Sequence, residues 1–434
     1  MTDTRTNSPE PDQGKAAAPG KMVAGAALTR GELRAERQEL RRRKRVALLL
    51  VGPLLVFVFF AFVAPIASML YRSVYNPTLA ELIPDTIHQL GKWDGAQLPD
   101  TPVFTTMARE LKLLAQERKA GILAAAVNRA YPGASSLINA TARKMRSLDD
   151  EQLKNSGADE LRNADPGWTQ LALWQAIQDV GHVYTDTNYL TALDLERNAQ
   201  GEIQQRDSTR IYLQLYGRTL GIALTITLLC IVLGYPLAYY LSHAPRRLAG
   251  ALMVLVLLPF WTSLLVRTTA WIALLQTNGV LNSIFQALGL THAPLEMMYT
   301  RFSTIVAMTH ILLPFMVLPL YSVMRGIDPS YVRAAISLGS RPWSAFLRVF
   351  LPLSLPGLSA GSLLVFIISV GYYITPALVG GTSGQMISNL IAFHMQHSNN
   401  WGLASALGTL LLVLILALYW VYDHLVGARN IKLG

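Results

Sequence analysis

The chain has 434 residues, 52% of them hydrophobic and 15% charged, with a formal net charge of +10. Soluble domains carry charge on roughly a quarter of their residues, so this balance excludes an ordinary soluble protein and points to a bilayer. The charge divides into +5 over residues 1–45, −3 over 71–210 and +8 over 211–434, with none over 46–70; basic ends beside anionic lipid fit this division, and nucleic-acid binding does not.

Residues 1–45 are expected to form a cytoplasmic tail. Its first 28 residues are rich in Pro, Gly and Ala without an apolar period, which predicts disorder. A helix follows, with Thr29 and Glu32 at capping-box spacing, and it ends in the basic run Arg41-Arg42-Arg43-Lys44-Arg45. Residues 46–70 hold no charge and would extend roughly 38 Å as a helix, enough to cross a hydrocarbon core of about 30 Å. A cleaved signal peptide is the competing reading, but its apolar region is usually about 7 to 15 residues long.

Residues 71–210 interrupt the apolar pattern and read as a helical domain inserted between the first and second spans. Leu111, Leu114, Ile122 and Val127 alternate with charged residues over Thr105 to Ala130, and Ser147 and Asp150 can cap a further helix. Trp168, Leu171, Trp174 and Ile177 recur at helical spacing and are expected to be this domain's core rather than a ligand site.

Five further spans are predicted at Leu213 to Leu241, Leu248 to Leu275, Phe302 to Met324, Leu353 to Val379 and Gly402 to Tyr422, giving a permease core over 211–425 and a short tail at 426–434. Cys230, the only cysteine, falls in the second span and is expected to be a small core residue. Positive charge gathers after the second, fourth and sixth spans, at Arg246, Arg247, Arg325, Arg333, Arg341, Arg348, Arg429 and Lys432. The opposite loops hold only Arg301, so both termini are predicted in the cytoplasm and the insertion outside.

The loop over 325–352 is the most informative segment. Asp328 can cap a helix whose first turn holds Pro329, Gly339 can end it in a left-handed conformation, and Pro342 can open a second helix leading to Leu351-Pro352. An exposed wedge of this kind suits a push against another protein. Ala334-Ala335, Gly339 and Val349-Phe350-Leu351-Pro352 resemble the Ala-Ala, three residues, Gly, nine residues, apolar-x-Leu-Pro loop of ABC importer permeases, with Arg333 where the family motif has Glu. The stretches Pro259 to Thr268, Leu313 to Tyr321 and Thr375 to Gly381 are similar to the spermidine/putrescine permease branch of that family.

The resemblance implies an all-helical, six-span transmembrane domain of the type I importer kind, here with a helical periplasmic insertion. It implies a second permease subunit, a cytoplasmic ATPase dimer and a periplasmic solute-binding protein as partners. ATP and magnesium would be handled by the ATPase, because the chain has no P-loop Gly-x4-Gly-Lys-[Ser/Thr]; no catalytic, cofactor or metal site is expected in the chain itself. A secondary transporter or membrane scaffold without an ATPase is the alternative.

Candidate solute-path residues are Trp261, Arg267, Tyr372, Tyr373 and Thr375. A positive charge mid-bilayer costs at least about 2.5 kcal/mol, so Arg267 should line the path or snorkel outward. Gly371 and Pro376 flank two tyrosines and allow a broken fifth helix, although tyrosines near a boundary also form the aromatic belt. After residue 210 the only acids are Glu296, Asp328 and Asp423, none inside a predicted span. A polyamine would therefore need cation–π contacts or an acid from the partner permease, or the solute is another polar molecule, such as a related amine or amino-acid derivative. His394 and His397 lie three apart in an outer loop, but a metal site needs a third ligand.

Overall fold

A computed structural model describes residues 45–197, 202–206 and 210–426. The N-terminal tail, its Thr29–Glu32 capping box, the basic run up to Lys44 and the C-terminal residues from 427 lie outside the described residues. The described residues divide into two units, the boundary falling between Ile66 and Ala67.

Helix α1 (Arg45–Val74) runs 30 residues with Leu48, Leu50, Phe57 and Phe60 exposed, as a helix in hydrocarbon requires. Pro65 has no N–H for the carbonyl four residues back, and a π-turn at Phe59–Val63 lies just before it.

The insertion begins where α1 ends. Tyr75 pairs with Tyr184 in an isolated bridge, and the Ser73 hydroxyl lies 2.6 Å from that of Tyr189, which fastens the start of the domain to its end. Between them run α2 (Thr78–Leu82), α3 (Pro84–Leu90), α4 (Thr101–Gln116), α5 (Ala120–Asn128), α6 (Ala134–Arg146), α7 (Asp150–Ala164), α8 (Leu171–Gly181) and α9 (Thr187–Ala192). Trp168, Trp174 and Phe104 are fully buried at its centre. Each indole N–H has an acceptor: Trp168 donates to Thr141 Oγ1 at 2.9 Å and Trp174 to the Trp168 carbonyl at 2.9 Å, so neither aromatic strands a polar atom.

Three details of the insertion differ from the sequence reading. The amphipathic stretch over Thr105 to Ala130 is two helices, broken after Gln116 where Arg118 takes a positive φ of 60°. Helix α7 is capped by Asp149, with Gln152 reaching back to the Asp149 N–H, rather than by Ser147 or Asp150. The insertion is also not wholly helical: β1 (Leu195–Arg197) and β2 (Ile203–Gln205) pair antiparallel near its end.

The membrane core comprises α10 (Tyr212–His243), α11 (Arg246–Trp261), α12 (Leu264–Leu275), α13 (Val280–Ala287), α14 (Arg301–Gly326), α15 (Pro329–Ser337), α16 (Pro342–Gly371), α17 (Ile374–Val379), α18 (Ile387–Gln396) and α19 (Trp401–Val426). Among the described residues five helices, α1, α10, α14, α16 and α19, are singly long and apolar enough to cross a membrane. The expected third span, Leu248 to Leu275, corresponds to a broken pair, Arg246–Trp261 and Leu264–Ala287, bent by 98° at the break, and the pair counted as one span makes the sixth. Pro259 weakens the end of α11, Thr262 Oγ1 donates to the Pro259 carbonyl at 3.0 Å, and Thr262 and Ser263 are extended. The fifth span starts at Pro342 and stops at Gly371, earlier at both ends than the predicted Leu353 to Val379. The loops after the third and fifth spans contain helices, α13 and α18, so His394 sits on a helix and not in a loop.

Helix α14 is the hub, packed along α10 and α16. Small residues permit this: Gly357 and Gly361 of α16 face Pro319, Val323 and Met316 of α14, and Gly234 of α10 faces Met316. Polar bonds then fix the register, with the Tyr216 hydroxyl donating to the Leu407 carbonyl at 2.8 Å and the Ile387 N–H to Thr219 Oγ1 at 2.8 Å.

Candidate coupling loop and solute path

Asp328 initiates α15 as the sequence suggests, its carboxylate accepting the Ser330 N–H at 2.8 Å with Pro329 in the first turn. That bond holds the Asp328 carboxyl below its usual range. At the other end Gly339 has φ +94°, Ser340 N–H reaches the Ala335 carbonyl at 3.0 Å, and Gly339 N–H reaches that of Ile336 at 2.9 Å. This is a Schellman turn, which needs the left-handed residue that glycine supplies without strain. None of α15 is buried; Arg333 and Ala334 are exposed, Ala335 is half-buried and Leu338 is 88% exposed.

Pro342 opens α16 in its first turn. A π-turn at Phe346–Phe350 then precedes Leu351 and Pro352. Proline at 352 cannot donate to the carbonyl of Arg348, so the irregular turn falls where the regular bond is missing. Aromatic rings link this turn to the end of α10: exposed Trp343 stacks on Phe346 at 5.6 Å, Phe346 on Phe350 at 5.8 Å, and Tyr239 meets Phe350 edge-on at 5.1 Å. The Arg325 guanidinium donates to the Ser242 carbonyl at 2.8 Å, tying the end of α14 to the same place. Packed rings and a charged hydrogen bond thus join the elbow to two core helices.

Further along the bundle, α16 breaks at Tyr372 and Tyr373 before α17 resumes. Carbonyls freed by a break in hydrocarbon must find other donors. The Ser388 hydroxyl donates to the Tyr372 carbonyl at 2.7 Å and Asn389 Nδ2 to that of Tyr373 at 2.6 Å, both from α18. Thr375 is fully buried, and its hydroxyl has no partner in hydrogen-bond geometry although the Tyr372 side chain lies beside it.

Arg267 lies one turn into α12, half-buried, with its Nε enclosed and without a partner, in the neighbourhood of His310 of α14 and of Tyr372. Trp271, one turn on, donates its indole N–H to His310 Nδ1 at 3.3 Å with the rings edge-to-face at 5.6 Å. The structure thus brings Arg267, Tyr372 and Thr375 together. It leaves Trp261 apart, 74% exposed at the bend, and Tyr373 joins only through its carbonyl. Sequence reasoning missed Trp271 and His310; a lone histidine in the apolar fourth span was the available signal for the second. Beyond Trp271, Ile272, Gln276, Thr277, Glu296, Met298 and Tyr299 line a cavity of about 310 Å³. Among the described residues no three His, Cys, Asp or Glu side chains cluster as a metal site.

A multi-span helical bundle with a broken, hydroxyl-lined segment and an exposed helix–turn–helix elbow has the make-up of a transport permease. Residues 230–429 match the family described as binding-protein-dependent transport system inner membrane component. The chain belongs to this family of ABC importer permeases, and is an inner-membrane, multi-pass permease subunit. It is 34% identical over 222 residues to the spermidine/putrescine transport system permease protein PotB of Salmonella typhimurium, covering 50% of this chain and 77% of the relative. It is 32% identical over 228 residues to the inner membrane ABC transporter permease protein YdcU of Escherichia coli, covering 49% and 71%. Among solved structures, a bacterial ABC transporter involved in import of the acidic polysaccharide alginate aligns at 18% identity and a TM-score of 0.43, over 52% of this chain and 81% of that one.

Proposed function

We propose that this chain is one permease half of an importer for a small polar solute of the polyamine type, or a related amine or amino-acid derivative, and that it has no catalysis of its own. A cytoplasmic ATPase dimer that handles ATP and magnesium docks on α15 and the start of α16, a second permease completes the path, and a periplasmic binding protein delivers the solute. The termini lie in the cytoplasm and the insertion in the periplasm. The charge pattern supports this orientation: Arg246, Arg247, Arg325, Arg333, Arg341 and Arg348 share the elbow's end of the bundle, while the loops at the other end hold only Arg301.

The single observation that carries the reading is the exposed α15 elbow closed by Gly339 and joined through Trp343, Phe346 and Phe350 to α10. Arg333 stands where related loops carry Glu, so docking on this side rests on shape and on apolar Leu338 and Trp343, with any ion pair reversed in sign. Co-purification of the permease with its ATPase tests this. A Cβ at 339 meets nothing within 4 Å, so Gly339→Val strains the turn without a clash. The variant should insert normally, lose the ATPase on purification and stop transport. Full ATPase retention in Gly339→Val, or transport by the isolated chain, refutes the reading and favours a secondary transporter.

A further inference from the structure

The path cluster is made of donors. Arg267 makes no side-chain hydrogen bond or ion pair among the described residues, and its Nε is buried without a partner. Because Trp271 donates to His310 Nδ1, that ring is the neutral tautomer and presents an Nε2–H donor. The Tyr372 hydroxyl and the partnerless Thr375 hydroxyl complete the surround, and Thr309 and Ser369, on the helices that carry His310 and lead to Tyr372, are likewise buried with partnerless hydroxyls. The three acids after residue 210 lie elsewhere: Asp328 in the elbow, Asp423 near the end of α19, and Glu296 on the outer cavity. A fixed guanidinium held among donors, with no acid in the spans, is complementary to an anion and repels a polycation.

We propose that Arg267, with His310 and Tyr372, forms a carboxylate-binding subsite on the solute path, so that the transported amine or amino-acid derivative carries a carboxylate. This rests on the importer and path reading above, and names the solute's charge pattern within it. Arg267 acts as the fixed cation, and the His310 Nε2–H and the Tyr372 hydroxyl supply neutral donors. The other source of a carboxylate is a side chain of the companion permease, which would leave the subsite neutral in the assembled transporter.

The test uses the complete transporter, with cysteine placed at Ile272, the residue next to Trp271, in a chain whose only native thiol, Cys230, is buried. Labelling rates are compared for a sulfonate-bearing and a trimethylammonium-bearing methanethiosulfonate reagent, each normalised to its rate with a free thiol. The expected result is a preference for the anionic reagent on the order of tenfold, erased by Arg267→Gln and kept by Arg267→Lys. Protection by 4-aminobutyrate and not by putrescine, which has the same carbon chain and no carboxylate, is expected as well. If Arg267→Gln does not assemble, the reagent preference at Ile272→Cys in the unaltered background still reports the field. Equal rates overturn the subsite while leaving an aqueous path in place. Preference for the cationic reagent or protection by putrescine alone overturns it too, and no labelling by either reagent removes the path and the subsite together.

Discussion

The insertion and the membrane core are both helical, yet they are held together by different physics. In the insertion, large side chains fill the centre: Trp168, Trp174, Phe104, Met107 and Leu111 are fully buried, and Arg162 lies over the Phe104 ring at 4.4 Å. Water supplies the driving force there, because each buried ring removes apolar area from solvent. In the core, lipid is as apolar as leucine and burial of hydrocarbon gains little. Close approach takes its place, at Gly234, Gly357 and Gly361, together with bonds such as Tyr235 to Ser354 at 2.8 Å. One polypeptide thus uses bulk where it meets water and smallness where it meets lipid.

The sharpest way to break the comparison is to exchange the two strategies. Trp174→Ala empties the insertion's centre and should destabilise it by about 3–5 kcal/mol, the usual range for losing a buried aromatic. Pulse proteolysis of the solubilised permease in urea should then cleave within 101–181 well before the bundle opens. Equal resistance of variant and parent would deny that this tryptophan anchors the domain. In the core, enlargement rather than removal is the damaging change. A Cβ at 357 would lie 2.9 Å from the Pro319 carbonyl oxygen and 2.9 Å from Val323 Cβ. Gly357→Ala should cost about 1–3 kcal/mol by overpacking and lower the midpoint of thermal aggregation in detergent, whereas Gly250→Ala, in open space, should leave it unmoved.

The join between the two regions is sharpened by Asp194. Its carboxylate leaves the insertion to accept the N–H groups of Ile211 at 3.1 Å, Tyr212 at 3.2 Å and Leu213 at 2.8 Å, covering the start of α10. Asp194 adopts φ 57° to do so. Replacement by Ala should cost about 1 kcal/mol, as helix caps generally do, and raise hydrogen exchange over 211–215 without loosening 101–181. Unchanged exchange there would show that water caps the helix equally well.

How much of this was legible depended on how local the cause was. The elbow could be read because Asp328, Pro329, Gly339 and Pro342 act within a few residues of themselves. Long apolar runs gave α1, α10, α14 and α19, since hydropathy alone decides them. The bend after Trp261 stayed hidden because Pro259, Thr262 and Ser263 barely lower the hydropathy of a run that continues on both sides. The Trp271–His310 contact joins residues 39 apart, so no pattern in either segment announces it. Similarly β1 and β2, Leu-Glu-Arg and Ile-Gln-Gln, carry too little alternation to read as strands.

The smallest effect concerns Glu110, a carboxylate among the insertion's apolar helices and the nearest thing there to the core's buried polar groups. It accepts the N–H groups of Asp85 at 2.9 Å and Thr86 at 3.2 Å and the Thr86 hydroxyl, closing the start of α3. Those bonds favour the charged form, but loss of water outweighs them and lifts its pKa above the ordinary glutamate value. A raised carboxyl pKa means the folded state holds the proton more tightly than the unfolded chain does. Its contribution is therefore fully present below the unfolded pKa and is lost as pH rises through the folded one. The insertion's urea midpoint, followed by proteolysis between pH 4 and pH 7, should contain a component that falls with rising pH, and Glu110→Gln should flatten that component. A steeper slope in the variant would mean that the three hydrogen bonds outweigh desolvation, and that this buried acid is stabilised as an anion.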